Sequence, residues 1–206
     1  VVGMLPNIGA VGHCTEEPGL HVQDAISAKL KGYILHGVEP DFDFANPHAA
    51  RQAMLAAEFV VSLTAFDTEC LRSCCDVMLP IAPYAETSGT YINLDATWQS
   101  FKGAVRPYAE SRPAWKVLRV LGNVLQCDGF EYNSSEDVLN EVKNKFALMT
   151  NVKRELYYPV VMPEQVSDLC RIGEWPLYRV DSIVRQADAL QNCGAAQRAE
   201  IRVSSA

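Results

Sequence analysis

The chain has 206 residues, 49% hydrophobic and 21% charged, long enough to bury one large or two modest cores without a disulfide or metal staple. Eighteen Lys and Arg against twenty-five Asp and Glu give a formal charge of -7, with no basic cluster to neutralise phosphates, which argues against nucleic acid as a partner. The longest apolar runs, such as Glu58 to Leu63, fall far short of the roughly 20 apolar residues that span a bilayer, so no direct membrane insertion is expected.

The opening run, Val1 to Pro6, lacks both an initiator Met and the charged start of a signal peptide, and reads as the inside of a longer protein. Gly32 to Gly37 is a short apolar segment closed by Gly37 and Pro40, a buried strand ending in a loop. Asn46-Pro47 then starts a helix over residues 47–57, with Ala50, Met54 and Leu55 at helical spacing. Phe59 to Thr64 is β-branched and apolar, a second strand. A short helix from Thr68 to Cys75 leads to a third strand at Val77-Met78-Leu79-Pro80-Ile81, of which Asp76 to Pro80 is expected to be central and buried. Strands alternating with helices of this length predict βαβ crossovers and a Rossmann-like parallel sheet over residues 1–105.

Residues 106–150 read as a helical extension. Arg112-Pro113-Ala114-Trp115 opens a helix with Trp115, Leu118, Leu121, Val124 and Leu125 at three- and four-residue spacing, ending near Cys127-Asp128-Gly129. Ser134 is the expected N-cap of the next helix, with Asp137 three residues on and Val138, Val142 and Phe146 as its apolar stripe. Residues 151–206 read as an irregular, surface-hugging tail in which Pro159, Pro163 and Pro176 interrupt long elements and only Ile183 to Leu190 looks helical. Ala199 to Ser204 has the alternation of a first strand belonging to a further domain.

Seven cysteines, an odd number spread through an acidic chain, do not make a disulfide framework and suit a reducing cytoplasmic setting. Cys70 and Cys74 share a helix face beside Cys75, with His36 and His48 as conceivable nitrogen ligands, but the spacing is no zinc or cluster signature; core cysteines are the plainer reading and no metal is expected. Asn7 to Gly12 offers small residues for a phosphate, yet lacks the Lys-Ser/Thr pair of a P-loop and reads as a turn. The carboxylates Glu16, Glu17, Asp41 and Asp43 read as solvated loop charges. Thr87-Ser88-Gly89 lacks the leading glycine of a nucleophile elbow, so no catalytic residue is assigned. Trp98, Trp115 and Trp175 are expected to close cores or fill interfaces.

Four ordered blocks carry a family resemblance: Gly37-Val38-Glu39-Pro40, Phe66-Asp67-Thr68-Glu69, Cys75 to Pro80, and Glu86 to Asn93 with Gln99. Together they resemble the molybdopterin oxidoreductases, a family that takes in formate dehydrogenases, nitrate reductases and the large iron–sulfur subunit of bacterial NADH:quinone oxidoreductase, respiratory complex I. The stretches Gly103-Ala104-Val105, Arg112 to Asn123, Gly173 to Tyr178 and Ile183 to Gln191 are similar to the complex I branch in particular.

That branch implies a non-catalytic scaffold of the peripheral arm, on the cytoplasmic side of the bacterial inner membrane. Other arm subunits would be its partners, and the 4Fe–4S and 2Fe–2S clusters would lie in a preceding amino-terminal part. Molybdenum enzymes of the family usually carry Asn where Glu39 stands, beside a nucleotide-bearing cofactor, and a carboxylate there opposes the pyrophosphate. After Asn93 the run Leu94-Asp95-Ala96-Thr97 lacks the Arg that relatives show. The resemblance therefore implies a vestigial crevice near Gly37, Glu39 and Asn93, with Glu39 facing solvent or a local donor and no cofactor held by this chain. The alternative is part of an active molybdopterin-dependent oxidoreductase such as a formate dehydrogenase.

Overall fold

A computed structural model describes residues 8–9, 12–13, 20, 22–92, 97–147 and 178–193. The chain divides into two compact units, Val1–Val152 and Lys153–Ala206. In the first unit the chain makes a short antiparallel pair, β1 (Ile8–Gly9) and β2 (Gly12–His13), and then helix α1 (Val22–Ser27). The predicted alternation follows: β3 (Gly32–His36), α2 (Pro40–Asp43), α3 (Pro47–Leu55), β4 (Phe59–Thr64), α4 (Glu69–Cys74) and β5 (Val77–Pro80). β3 pairs parallel with β4 in the register Gly32↔Phe59, and β4 parallel with β5 in the register Val61↔Val77. The protein is thus an α/β fold built on a three-stranded parallel sheet with helices.

The helix starts follow from local chemistry. Asn46 Oδ1 accepts the backbone N–H of Ala49 at 3.0 Å, and Pro47 at the first position has no N–H to leave unpaired. Thr68 caps α4 through the N–H of Leu71. Leu35, Ala50, Met54, Val60, Leu71 and Cys74 close the core between sheet and helices.

Two expectations need correcting. Val77–Pro80 is a strand, but the order β3-β4-β5 places it at the edge, with only a single bridge, Ile81 to Arg112, on its far side among the described residues, and Val77 is 37% exposed. Pro80, which has no N–H to donate, suits such an edge. The central strand is β4, with Val60, Ser62, Leu63 and Thr64 buried. Likewise β3 is not a buried strand: Leu35 is buried, whereas Ile34 on the opposite face is exposed.

After β5 a 3-10 turn (Tyr84–Glu86) leads to an antiparallel pair that the parallel-sheet reading did not foresee, β6 (Gly89–Ile92) and β7 (Trp98–Phe101). The Tyr91 and Phe101 rings stack across it, 5.2 Å apart. Helix α5 (Ala114–Val124) starts where Pro113 predicts. Gly122 is required there, because a Cβ would come within 2.3 Å of the Phe130 ring.

Helix α6 (Ser135–Ala147) has the expected capping box: the Asp137 N–H donates to Ser134 Oγ at 3.1 Å, and the Ser134 N–H to Asp137 Oδ2 at 2.9 Å. The Phe146 side chain lies outside the described residues.

In the second unit the single helix expected over 183–190 is two short ones, α7 (Ser182–Arg185) and α8 (Asp188–Gln191), with Asp181 capping α7 through the N–H groups of Ile183 and Val184. The rest of the expected tail and the strand at 199–204 lie outside the described residues. No helix among the described residues is long and apolar enough to cross a membrane.

Candidate functional site

In an open parallel sheet, ligands bind beyond the carboxyl ends of the strands. Here that edge is made by Gly37 to Pro40 after β3, Thr64 to Thr68 after β4, and Pro80 to Ala82 after β5. The Gly37 N–H donates to Leu63 O at 2.9 Å, which ties the first loop to the second strand. Gly37 has φ +63, the left-handed region that favours glycine, and no atom would meet a Cβ there, so the backbone is open to approach.

Glu39 lies just past the end of β3 but does not face solvent, one of the two surroundings expected of it: the residue is 4% exposed, because the chain turns straight into α2 behind it. The Glu39 N–H donates to Asp43 Oδ2 at 2.7 Å, and its carbonyl accepts the N–H groups of Phe42 and Asp43. Asn93, the third residue of the expected crevice, lies outside the described residues.

Neighbouring charges are matched to one another. Asp41 pairs with Arg51 at 3.2 Å, and Arg51 also donates to Ser73 Oγ. Asp67 takes both Nε and Nη2 of Arg72, which holds its carboxyl below the usual range and raises the guanidinium. Between residues 32 and 76 the sequence holds seven carboxylates (Glu39, Asp41, Asp43, Glu58, Asp67, Glu69, Asp76) against two arginines, Arg51 and Arg72, each already paired with an aspartate. Toward a nucleotide-bearing pterin this stretch offers an open glycine, while its two arginines are already held by aspartates.

Two of the cysteines of α4 behave as core. Cys70 and Cys74 are buried, and the Cys74 thiol donates to Cys70 O at 3.2 Å and lies 3.9 Å from Cys75 Sγ. Burial pushes the Cys70 thiol up to about 11 and the Cys74 thiol up to about 12, away from the thiolate that metals and electrophiles take. Among the described residues no group of three or more His, Cys, Asp or Glu side chains is placed to hold a metal ion. His36 and His48 are both exposed, on β3 and at the start of α3.

What the sequence reading missed is a hollow between the β6–β7 pair and the helices α5 and α6, walled in part by Trp98, Phe101 and Trp115. The helical spacing of Trp115 with Leu118 points to an apolar face that closes a core or an interface, and the ring's place at a helix start is the one available signal.

The model of the family described as "Molybdopterin oxidoreductase" matches residues 7–124. An F420-dependent formate dehydrogenase subunit alpha of Methanocaldococcus jannaschii is 30% identical over 121 residues, covering 58% of this chain and 18% of that protein. A putative formate dehydrogenase of Staphylococcus aureus is 26% identical over 154 residues (75% of this chain, 15% of that protein). A nitrate reductase of Shewanella frigidimarina is 23% identical over 184 residues (87% and 19%). The chain therefore spans less than a fifth of the length of these relatives, and none of them is named as a complex I subunit. With the family model matching more than half of its residues, over the parallel sheet as well as the β6–β7 pair and α5, this chain belongs to the molybdopterin oxidoreductase family.

Proposed function

We propose that this chain is part of a larger molybdopterin-family oxidoreductase and that its own residues support the redox centres rather than supplying their ligands. The observation that carries the supporting role is the charge of the carboxyl edge, where Glu39 is buried and Arg51 and Arg72 are each held by an aspartate. For the whole protein, the names of the relatives favour a molybdopterin-dependent enzyme of the formate dehydrogenase or nitrate reductase type.

A second reading takes the whole protein as the large iron–sulfur subunit of proton-pumping NADH:quinone oxidoreductase. It would sit peripherally on the cytoplasmic side of the inner membrane among the other arm subunits, with its clusters held outside this chain. The same acidic edge favours it specifically, since a scaffold without a nucleotide cofactor has no use for a cation there.

One experiment separates the two: purify the full-length protein under mild conditions, measure molybdenum and pterin, and assay formate-dependent dye reduction beside NADH:quinone activity. Stoichiometric molybdenum with formate activity supports the first reading. Its absence, with co-migration of NADH dehydrogenase activity, supports the second, and molybdenum content that responds to Glu39→Ala would overturn the supporting role of this chain.

A further inference from the structure

Helix α5 is turned the opposite way from an ordinary surface helix. At about 3.6 residues per turn, Val117, Leu121 and Val124 fall in one line, with Val120 on one side of it and the C-cap residue Leu125 on the other. The helix packs through its other side, where Gly122 lies against the Phe130 ring and Arg119 Nη1 donates to Tyr132 O at 2.9 Å. The apolar line looks outward: Val120 is 51%, Val124 73% and Leu125 64% exposed. A surface helix normally buries such a stripe and turns its polar side to water, and a contiguous apolar stripe left outside marks an interaction site.

The helix itself limits what can cover that stripe. Its last turn is closed internally, with the N–H groups of Leu125, Gln126 and Cys127 donating to the carbonyls of Leu121, Asn123 and Gly122. The face therefore has no backbone group to offer, and a strand laid on it would leave its own N–H and C=O groups unpaired. A second helix bonds within itself and can set its ridges into the grooves of α5 without that cost.

Size and charge then bear on the source of this helix. Five side chains fall well short of the roughly 20–30 residues that each partner brings to a stable interface between separate chains, and two copies of a chain of charge -7 repel each other. The same charge, with no basic cluster, disfavours an anionic lipid surface. A segment of the same polypeptide is held close by and needs no such area. The relatives have length for one: the matched stretch is 18%, 15% and 19% of the three compared, and the family match runs through the whole of α5 to Val124.

We propose that the outward face of α5 docks an amphipathic helix from a part of the full-length polypeptide outside residues 1–206, its apolar stripe laid along Val117, Leu121 and Val124. This rests on reading the chain as part of a larger oxidoreductase, and it deepens that reading by naming where another part of the polypeptide attaches.

The test uses the full-length protein, with photo-reactive benzoylphenylalanine replacing Val120 or Val124, and replacing exposed Lys116 as a control away from the stripe. Cross-linked peptides are identified by mass spectrometry. Expected is a cross-link from the stripe positions, and not from the control, to one segment of the same polypeptide outside residues 1–206 with apolar residues at three- and four-residue spacing. Because a bulky label can itself lift the cover, Val124→Cys is alkylated in parallel and should react at least about tenfold more slowly in the native protein than in urea. No cross-link from either stripe position, a cross-link to a second copy, to lipid or within residues 1–206, or alkylation as fast in the native protein as in urea would each overturn the proposal. The mass of the intact polypeptide tests the underlying reading by itself: a polypeptide no longer than this chain would overturn that reading, whereas a long one without the expected cross-link overturns the docking alone.

Discussion

Residues 32–82 and residues 84–147 belong to one compact unit but are packed differently. Every buried apolar side chain among the described residues lies between Leu35 and Ala82, while the stretch from Tyr84 to Ala147 leaves Val120, Val124 and Leu125 exposed and encloses a hollow against Trp98 and Trp115. A three-stranded parallel sheet with helices against it closes a core by itself, whereas one antiparallel pair and two amphipathic helices have too few apolar faces to cover one another. Stability is therefore concentrated in the first region, and spare binding surface in the second.

The strongest way to break this comparison is paired truncation. Leu71→Ala, at a side chain with 0% exposure, should cost about 2–5 kcal/mol in urea unfolding. Leu118→Ala, on the exposed face of α5, should stay within about 0.5 kcal/mol. Equal costs would show that the two regions share one core.

A smaller effect is expected at the sheet's carboxyl edge. Because Glu39 is buried there, Glu39→Asn should destabilise by about 1–3 kcal/mol in the same assay, where an exposed position would show almost nothing. A silent substitution would return the residue to the surface role that its loop position had implied.

The second region should respond mainly at its caps. Ser134→Ala removes the acceptor for the Asp137 N–H and should cost about 1 kcal/mol, read as lost helicity of α6 in circular dichroism. The N–H groups of Asn133 and then Ser134 hold the Asp137 carboxyl below the usual carboxylate range. A lowered folded value means the cap's contribution is complete above the usual range and is lost as pH falls through the lowered one. Helicity at α6 that rose on acidification would contradict that sign.

The last expected difference is chemical rather than energetic. Alkylation near pH 8 followed by peptide mapping should label exposed Cys127 well before Cys70 and Cys74, whose thiols are pushed up to about 11 and about 12. Labelling Cys70 first would mean that the α4 core opens readily.

Much of the local structure was legible in the sequence because its causes are local. Asn46-Pro47, Thr68 and Ser134 with Asp137 mark helix starts through bonds made within three or four residues, and the run Phe59 to Thr64 marks a strand by composition. The four family blocks were likewise readable in order, and the family match rests on the same stretch of chain. The break between α7 and α8 at Gln186-Ala187 was not visible in an apolar spacing that continues through it.

By itself the sequence determined an α/β chain with parallel strand pairing, its helix caps, its acidic balance and its family, since these depend on residue type and short-range spacing. The tertiary structure alone decided that β4 rather than β5 is central, that Glu39 is buried behind α2, and that Trp115 borders a hollow instead of filling a core. The physical reason is that strand order, side-chain burial and cavity volume arise from contacts between segments far apart in the chain, and hydrophobic periodicity says which face is apolar without saying what will cover it.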